Sequence, residues 1–320
     1  MRGRVLKVLE AAYQVDTPDD RWFQSLADAC SEVLGGDLGL AIGTFDASDL
    51  AAPRAIPQAI SGAAPGLAEF TAHRVRFMSP VATDEVLRKG GCLLGRSSLP
   101  FVRDGSLRPW GVEDGLALSA SDPEGKGIAL CAFSSRPIRL HAARRSALAR
   151  VAAHLGTSFR LRRRIVAQQG AVEAVLEPTG KLQDAAGAAK ADAARQLLKE
   201  AVRGVERVRG GRRVDEDEVL SNWAPLLRTR WTLVDHFESD GRRYILAREN
   251  TPIARGPKSL TARERQVVGY AALGHSSKLI AYELGIAYST VRVLLSRAAA
   301  KLGAASREDL VRALRDAATR

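Results

Sequence analysis

Apolar positions change period several times along this chain, and each change marks an element. From Val5 to Tyr13 and from Asp20 to Leu34 they recur at helical spacing, with Trp22, Leu26, Cys30 and Val33 or Leu34 on one face. Gly35-Gly36 ends that second helix. Leu38 to Phe45 and Ala55 to Ile60 read as short strands. Gly66 to Val86 reads as mostly helical but interrupted at Pro80, Gly90 to Gly95 reads as loose, and Pro100 to Trp110 has no clear period. Gly115 to Ser121 and Gly127 to Phe133 flank Asp122-Pro-Glu-Gly-Lys-Gly, which predicts strand, turn and strand. One long helix follows, about Leu140 to Ala167, with the row Leu148, Val151, Leu155 and Phe159 continuing to Ile165.

The next stretch repeats strand-turn signals around helices. Ala171 to Asp184 predicts a hairpin turning at Glu177-Pro-Thr-Gly180, and Ala185 to Val208 an Ala-rich helix broken at Gly210-Gly211. Asp215 to Leu227 predicts a second helix containing Trp223. Arg230 to Phe237 and Arg242 to Arg248 flank Glu238-Ser-Asp-Gly241, a third hairpin with an Asp-Gly turn signal. Pro252 to Pro257 reads as a linker.

Beyond it the pattern becomes four short helices with tight joints. Thr261-Ala-Arg-Glu264 is a capping box, and helical apolar spacing then runs to Gly274. A second helix, roughly Ser276 to Leu284, stops at Gly285, and Ile286-Ala-Tyr-Ser is the turn. A third runs from about Ser289 to Leu302 and stops at Gly303. Ser306-Arg-Glu-Asp309 caps a last helix with Leu310, Val311 and Leu314 on one side. Two short helices joined by such a turn, the second of them basic, are a helix-turn-helix, which places the second helix in a DNA major groove.

Charge sharpens that reading. The net charge is +12, and from Thr251 onward there are twelve Lys/Arg against five Asp/Glu. Between Arg136 and Val172 there are nine Arg and no acid, so these two segments hold the basicity. Arg160, Arg162, Arg163 and Arg164 are open to three readings: a solvated face, a contact to DNA flanks, or a pairing with an acidic patch on a partner protomer.

The C-terminal segment resembles the DNA-binding domain of LuxR-type (GerE-type) transcription regulators. The matching residues are Leu260-Thr261, Arg263-Glu264, Gly274, Lys278, Ile280-Ala281, Leu284, Thr290-Val291, Lys301-Leu302-Gly303 and Ser306-Arg307. It departs at Ala287-Tyr288, where a capping residue often precedes the recognition helix, so Ser289 caps one turn later or not at all. Leu294 stands where a His often does, and Ser277 where Asn is usual. The resemblance implies that Ser289, Thr290, Arg292, Val293 and Ser296 face the groove, with Arg292 the best candidate for a guanine edge. It implies that Lys278, Arg297 and Lys301 hold phosphates, and that Leu310 and Leu314 pair with their copies in a homodimer on a pseudo-palindromic site.

Upstream, strands bracketed by helices and ending in a long exit helix look like a GAF-type sensory domain. This resemblance is architectural and implies a pocket between the sheet and its covering helices, which Phe101 and Trp110 could line, though core roles suit both better. Hairpin, helices and hairpin look like a reduced PAS-type domain, in the arrangement some LuxR-type regulators place before the helix-turn-helix. The expected organisation is therefore α+β and multidomain: 1–167 GAF-like with its exit helix, 168–250 PAS-like, 251–257 linker, and 258–320 an all-α, four-helix LuxR-type helix-turn-helix.

The rest of the chemistry argues against an enzyme. His73, His141, His154, His236 and His275 are scattered without ligand spacing, so no metal, cofactor or catalytic set is expected. Cys30, Cys92 and Cys131 read as buried thiols in a reducing cytoplasm. No apolar run approaches the ~18 residues that cross a bilayer. Neither a phosphoryl-accepting acidic cluster nor the Trp/Tyr/Asp-Pro set of acyl-homoserine-lactone binders is present, so the signal, whether small molecule or protein, has no assigned residues. Double-stranded DNA is the expected partner, with RNA polymerase a further one. The competing class is a protein-interaction adaptor whose helix-turn-helix contacts polymerase or another regulator.

Overall fold

A computed structural model describes residues 3–122, 124–166, 171–210, 216–224, 231–237, 243–250 and 260–318. The expected linker at 252–257 and the hairpin turn at 238–241 lie outside them.

The amino-terminal part is built on a five-stranded antiparallel sheet of β1 (Leu40–Asp46), β2 (Arg54–Ser61), β3 (Gly91–Leu94), β4 (Asp114–Ser121) and β5 (Lys126–Ser134), in the order β2-β1-β5-β4-β3. Strand alternation separates its side chains into two faces. Leu40, Ile42, Leu116, Leu118, Ile128 and Leu130 all point to one face, where they join α1 (Arg4–Tyr13), α2 (Asp19–Leu34) and α4 (Ala142–Val166) in the largest apolar cluster. The other face is covered by α3 (Pro65–Val75) and the segment after it.

That segment differs from expectation. Pro80 does not simply interrupt a helix. It opens a new turn, Pro80–Thr83, capped by Ser79 Oγ accepting from Ala82 N at 3.2 Å. The turn runs directly into a π-helical stretch, Asp84–Lys89. The loose region at 91–94 is in fact edge strand β3, with Gly91 opposite Ser119. Its brevity hid it. Gly90 makes the bend into it, because a Cβ there would lie 2.4 Å from the Ser119 carbonyl oxygen and φ is +54°.

A second antiparallel sheet, ordered β7-β6-β9-β8, contains β6 (Val172–Leu176), β7 (Leu182–Ala185), β8 (Trp231–Phe237) and β9 (Arg243–Glu249). It packs with α5 (Asp192–Gly210) and α6 (Glu216–Trp223). Its apolar side chains belong to the same cluster as the first sheet, and the Tyr13 and Trp223 rings meet with centroids 5.6 Å apart. The fold is α+β, with two antiparallel sheets and an all-helical carboxy-terminal region. No helix among the described residues is long and apolar enough to cross a membrane.

The side chains of α4 are engaged within the chain. Its row of Leu148, Val151 and Leu155 is buried within the chain. Three of its arginines are paired within the chain. Arg162 is 5% exposed: it lies 5.0 Å from the centre of the Trp22 ring, bonds Asp19 Oδ1 at 2.7 Å, and donates to the carbonyls of Val15 and Thr17. Arg163 reaches Asp122 Oδ2 at 2.6 Å, in the β4–β5 turn that Asp122 Oδ1 closes by accepting from Glu124 N and Lys126 N. Arg160 bonds Asn250 Oδ1 at 3.3 Å. A cation run resembles a surface stripe in sequence, but its partners are chosen by tertiary placement.

Because Asp19 is largely solvated, the stabilising part of the Arg162 cluster is its pair of bonds to backbone carbonyls. Arg162→Ala should therefore lower unfolding free energy by about 2–3 kcal/mol, the cost of leaving buried acceptors unsatisfied. Arg162→Lys should recover little, since an ammonium cannot reach three partners as a guanidinium fork does. Urea unfolding followed by tryptophan fluorescence checks this, and a change below about 0.5 kcal/mol contradicts it.

Candidate nucleic-acid interface

The carboxy-terminal region consists of α7 (Ala262–Ala272), α8 (Ser277–Leu284), α9 (Tyr288–Leu302) and α10 (Arg307–Ala318). Its local signals form as written. Thr261 Oγ1 accepts from Glu264 N while Glu264 reaches back to Thr261 N at 2.7 Å, completing the capping box. Ser276 caps α8, accepting from Leu279 N at 3.2 Å, and Gly285 ends it at φ +61°. Ser306 Oγ accepts from Asp309 N at 3.0 Å at the head of α10. No side chain caps α9, which starts at Tyr288 behind Ala287. Ser289 therefore lies inside the helix and does not cap it.

Helices α8 and α9 are turned 107° from one another across a three-residue joint. Ile280, Leu284 and Val291 fix that angle by packing with Val267, Tyr270 and Leu273. Val291 and Ala298 hold the inner side of α9, so Ser289, Thr290, Arg292, Val293, Ser296 and Arg297 are exposed on it. Val293 stays 47% exposed and Tyr288 48%, unusual for side chains of their size. Among the described residues no ion pair engages Lys278, Arg292 or Arg297, and all three are exposed. The arrangement offers a long convex surface of cations, hydroxyls and two apolar groups, suited to a groove lined with phosphates and base edges.

Two sets of expected site residues are placed elsewhere. Leu310 and Leu314 are 2% and 7% exposed, packed with Leu260, Val268, Ala272 and Ala298 inside their own chain. They hold α10 to α7. Lys301 is on the rim, but its ammonium meets the buried Glu264 carboxylate at 2.8 Å. Two other basic residues of the matching set also act inward: Arg263 donates to Leu284 O at 2.8 Å, occupying a carbonyl at a helix end, and Arg307 donates to His275 O in the joint before α8.

The unit is docked on the rest of the chain through polar contacts that single-sequence patterns did not reveal. Tyr282 O–H donates to Leu220 O at 3.1 Å, so its oxygen accepts from His154 Nε2 at 3.1 Å, which leaves Nδ1 to accept from Tyr13 O–H at 2.9 Å. One tautomer of a neutral imidazole satisfies every group. Burial, with the Arg150 charge, brings His154 down to about 3, consistent with that state. On the other side, His275 Nε2 donates to Lys89 O at 3.2 Å while Nδ1 faces Glu283 at 3.2 Å. Burial disfavours the His275 cation, yet Glu283 outweighs it and the pKa is raised.

Two short helices fixed at this angle, with the second presenting unpaired cations, define a helix-turn-helix DNA-binding unit. Residues 258–314 match the GerE family, described as bacterial regulatory proteins of the luxR family. The carboxy-terminal part of the chain is thus a luxR-family domain, the kind carried by DNA-binding transcription regulators. No curated protein matches the chain.

The Lys301 hydrogen bond, followed by the backbone N–H of Thr261, holds the Glu264 carboxyl down to about 2. Its contribution to stability is therefore present above the ordinary carboxylate range and is lost as pH falls towards 2. Glu264→Gln should lower the urea midpoint of the helical region at pH 7, with the difference from the parent shrinking by pH 2. Lys301→Met should do the same while leaving the salt dependence of DNA binding nearly intact. Circular dichroism at both pH values and a salt titration of DNA affinity check the pair.

Proposed function

We propose that this chain is a sequence-specific transcription regulator that reads a pseudo-palindromic DNA site as a homodimer. The observation carrying the reading is the outward, unpaired surface of α9, centred on Arg292 and Val293, on a helix held at 107° to α8. Arg292 is suited to the O6 and N7 acceptors of guanine, and Val293 to a thymine methyl group. Ser289, Thr290 and Ser296 flank them. Lys278 and Arg297 stand where phosphates would lie, setting register and affinity without reading sequence. One such helix spans few base pairs, so a two-fold pair with half-sites about one helical turn apart supplies the specificity.

The adaptor reading is less well supported, since an adaptor surface needs no row of unpaired cations beside base-sized hydroxyl and apolar groups. Affinity for duplex DNA should fall steeply with salt, by about 0.9 in log–log slope for each phosphate neutralised. Specific binding that is absent at every salt concentration would favour the adaptor. Arg292→Ala should lose discrimination at one base pair per half-site, worth about 1–3 kcal/mol, in selection from random duplexes. Lys278→Ala should weaken all sequences alike and reduce the salt slope by about 1. An unchanged sequence preference in Arg292→Ala would assign reading to another residue.

A further inference from the structure

The end of α1 and the second sheet leave a large space between them. Tyr13 and the turn after it, as far as Thr17, bound it together with β8 and β9, and α5 and α6 contribute Arg209 and Trp223. The space measures about 580 Å³, a volume in the range of small-molecule sites. Its rim is fixed. Arg162 of α4 takes the carbonyls of Val15 and Thr17, and the Val15 side chain packs with Leu161 and Val234.

Charge on this lining is unevenly matched. Arg209 meets Asp235 at 2.7 Å and Glu206 at 3.0 Å, but Glu10 only at 3.5 Å. Arg243 is shared between Glu206 and, at 3.9 Å, Asp235. Asp16 is exposed at the rim and has no ion-pair partner among the described residues. Four carboxylates, those of Glu10, Asp16, Glu206 and Asp235, thus stand against two guanidinium groups. Glu10 is the least well held of the three acids that share the arginines. Burial raises its pKa above the ordinary carboxylate range, because Arg209 offsets the desolvation only in part and Asp235 and Glu206 add repulsion. A cation placed beside Glu10 would relieve it. Among the described residues no group of His, Cys, Asp and Glu is placed to hold a metal ion, so the surplus suits an organic cation.

Trp223 adds a second requirement. It is 1% exposed, yet its indole N–H has no acceptor among the described residues. The other two buried indoles are satisfied: Trp22 donates to Ala12 O at 3.1 Å and Trp231 to Glu173 Oε2 at 2.8 Å. An orphaned buried donor is costly, and this one belongs to a residue that lines the space. A water could accept the indole proton, but it cannot offset the carboxylate surplus.

We propose that this space binds a small organic cation, an amine that also carries a neutral hydrogen-bond acceptor. Glu10 holds the ammonium, Asp16 at the rim adds attraction, and the acceptor takes the Trp223 indole N–H. The site is independent of what α9 reads, and its test contains no DNA. The full-length chain is titrated with 5-aminopentanol, hexylamine, hexanol and hexanoate, and the indole N–H resonances are followed by NMR. Trp223→Phe, which keeps an aromatic ring, identifies the Trp223 signal by its loss. 5-Aminopentanol should shift that signal saturably. Hexylamine, which lacks the acceptor, should bind about fivefold more weakly, and hexanol and hexanoate should not saturate. Glu10→Gln should weaken 5-aminopentanol by about tenfold. Added salt should weaken it in the parent chain, a measurement that stands whether or not Glu10→Gln folds. Hexanoate binding as well as the amines, or no saturable response to either amine, overturns the site. Affinity that is unchanged by salt, or by Glu10→Gln in a folded chain, overturns the role of the carboxylates. Binding that leaves the Trp223 resonance in place overturns the role of the indole.

Discussion

The rest of the structure depends on a constraint imposed by α4: a helix buried among two sheets and a helical domain must find a partner for every polar group it takes out of water. An unpaired buried donor costs more than a hydrogen bond contributes. His154 and Arg162 are buried on this helix and Arg160 is half-buried, and each is satisfied by a different part of the chain. His154 binds Tyr13 of α1 and Tyr282 of α8; Arg162 gathers the joint between α1 and α2; Arg160 reaches Asn250 and, at 3.5 Å, Tyr270. Apolar contact alone would tolerate sliding. Directional bonds at several points along one helix do not, and they give the helix-turn-helix a defined seat.

That seat leaves the recognition surface free. The docking contacts come from Tyr270, His275 and Tyr282, on α7, the joint after it and α8, while Ser289, Thr290, Arg292, Val293, Ser296 and Arg297 of α9 stay exposed. In this arrangement the amino-terminal part does not occlude Arg292. Control by steric masking of α9 is therefore not what the docking geometry favours. What the contacts do fix is the direction in which α9 points relative to the sheet domain, and that direction determines whether two copies could present their recognition helices one turn apart.

How much of this was legible in the sequence depended on the range of the interaction. The capping box at Thr261, the Ser276 cap and the glycine stops at 274, 285 and 303 are written within four residues of where they act. Period and cap residues together located the four helices, and the family resemblance named the residues of α9 that are exposed. The absence of a cap at Ala287 was equally local and equally readable. Arginine roles were not. Arg162 and Arg163 are neighbours in one basic run, yet their partners lie 143 and 41 residues away. Leu310 and Leu314 look alike whether their apolar row meets another chain or α7. Histidine tautomers and the Lys301–Glu264 pair likewise follow from tertiary contacts that spacing does not encode.

One longer-range feature was readable and went unused. In LAIGTF, GLALSAS and GIALCAF, the pairs Leu40 and Ile42, Leu116 and Leu118, and Ile128 and Leu130 alternate with Ala, Gly, Ser or Cys. Read as hydrophobicity, these strands are continuous runs; read as volume, they alternate. Hydrophobic pattern assigns strands, but volume decides whether a face can be filled by what covers it, since interiors pack to a nearly fixed density. A sheet face of small residues needs a close-lying or bulky cover, and α3 presents Ala68, Thr71 and Ala72 there instead. Small against small leaves space, and the register that sets Gly43, Ala129 and Ser119 beside Ala41, Cys131 and Ala117 makes that space continuous. It is thus a consequence of side-chain volumes on facing elements.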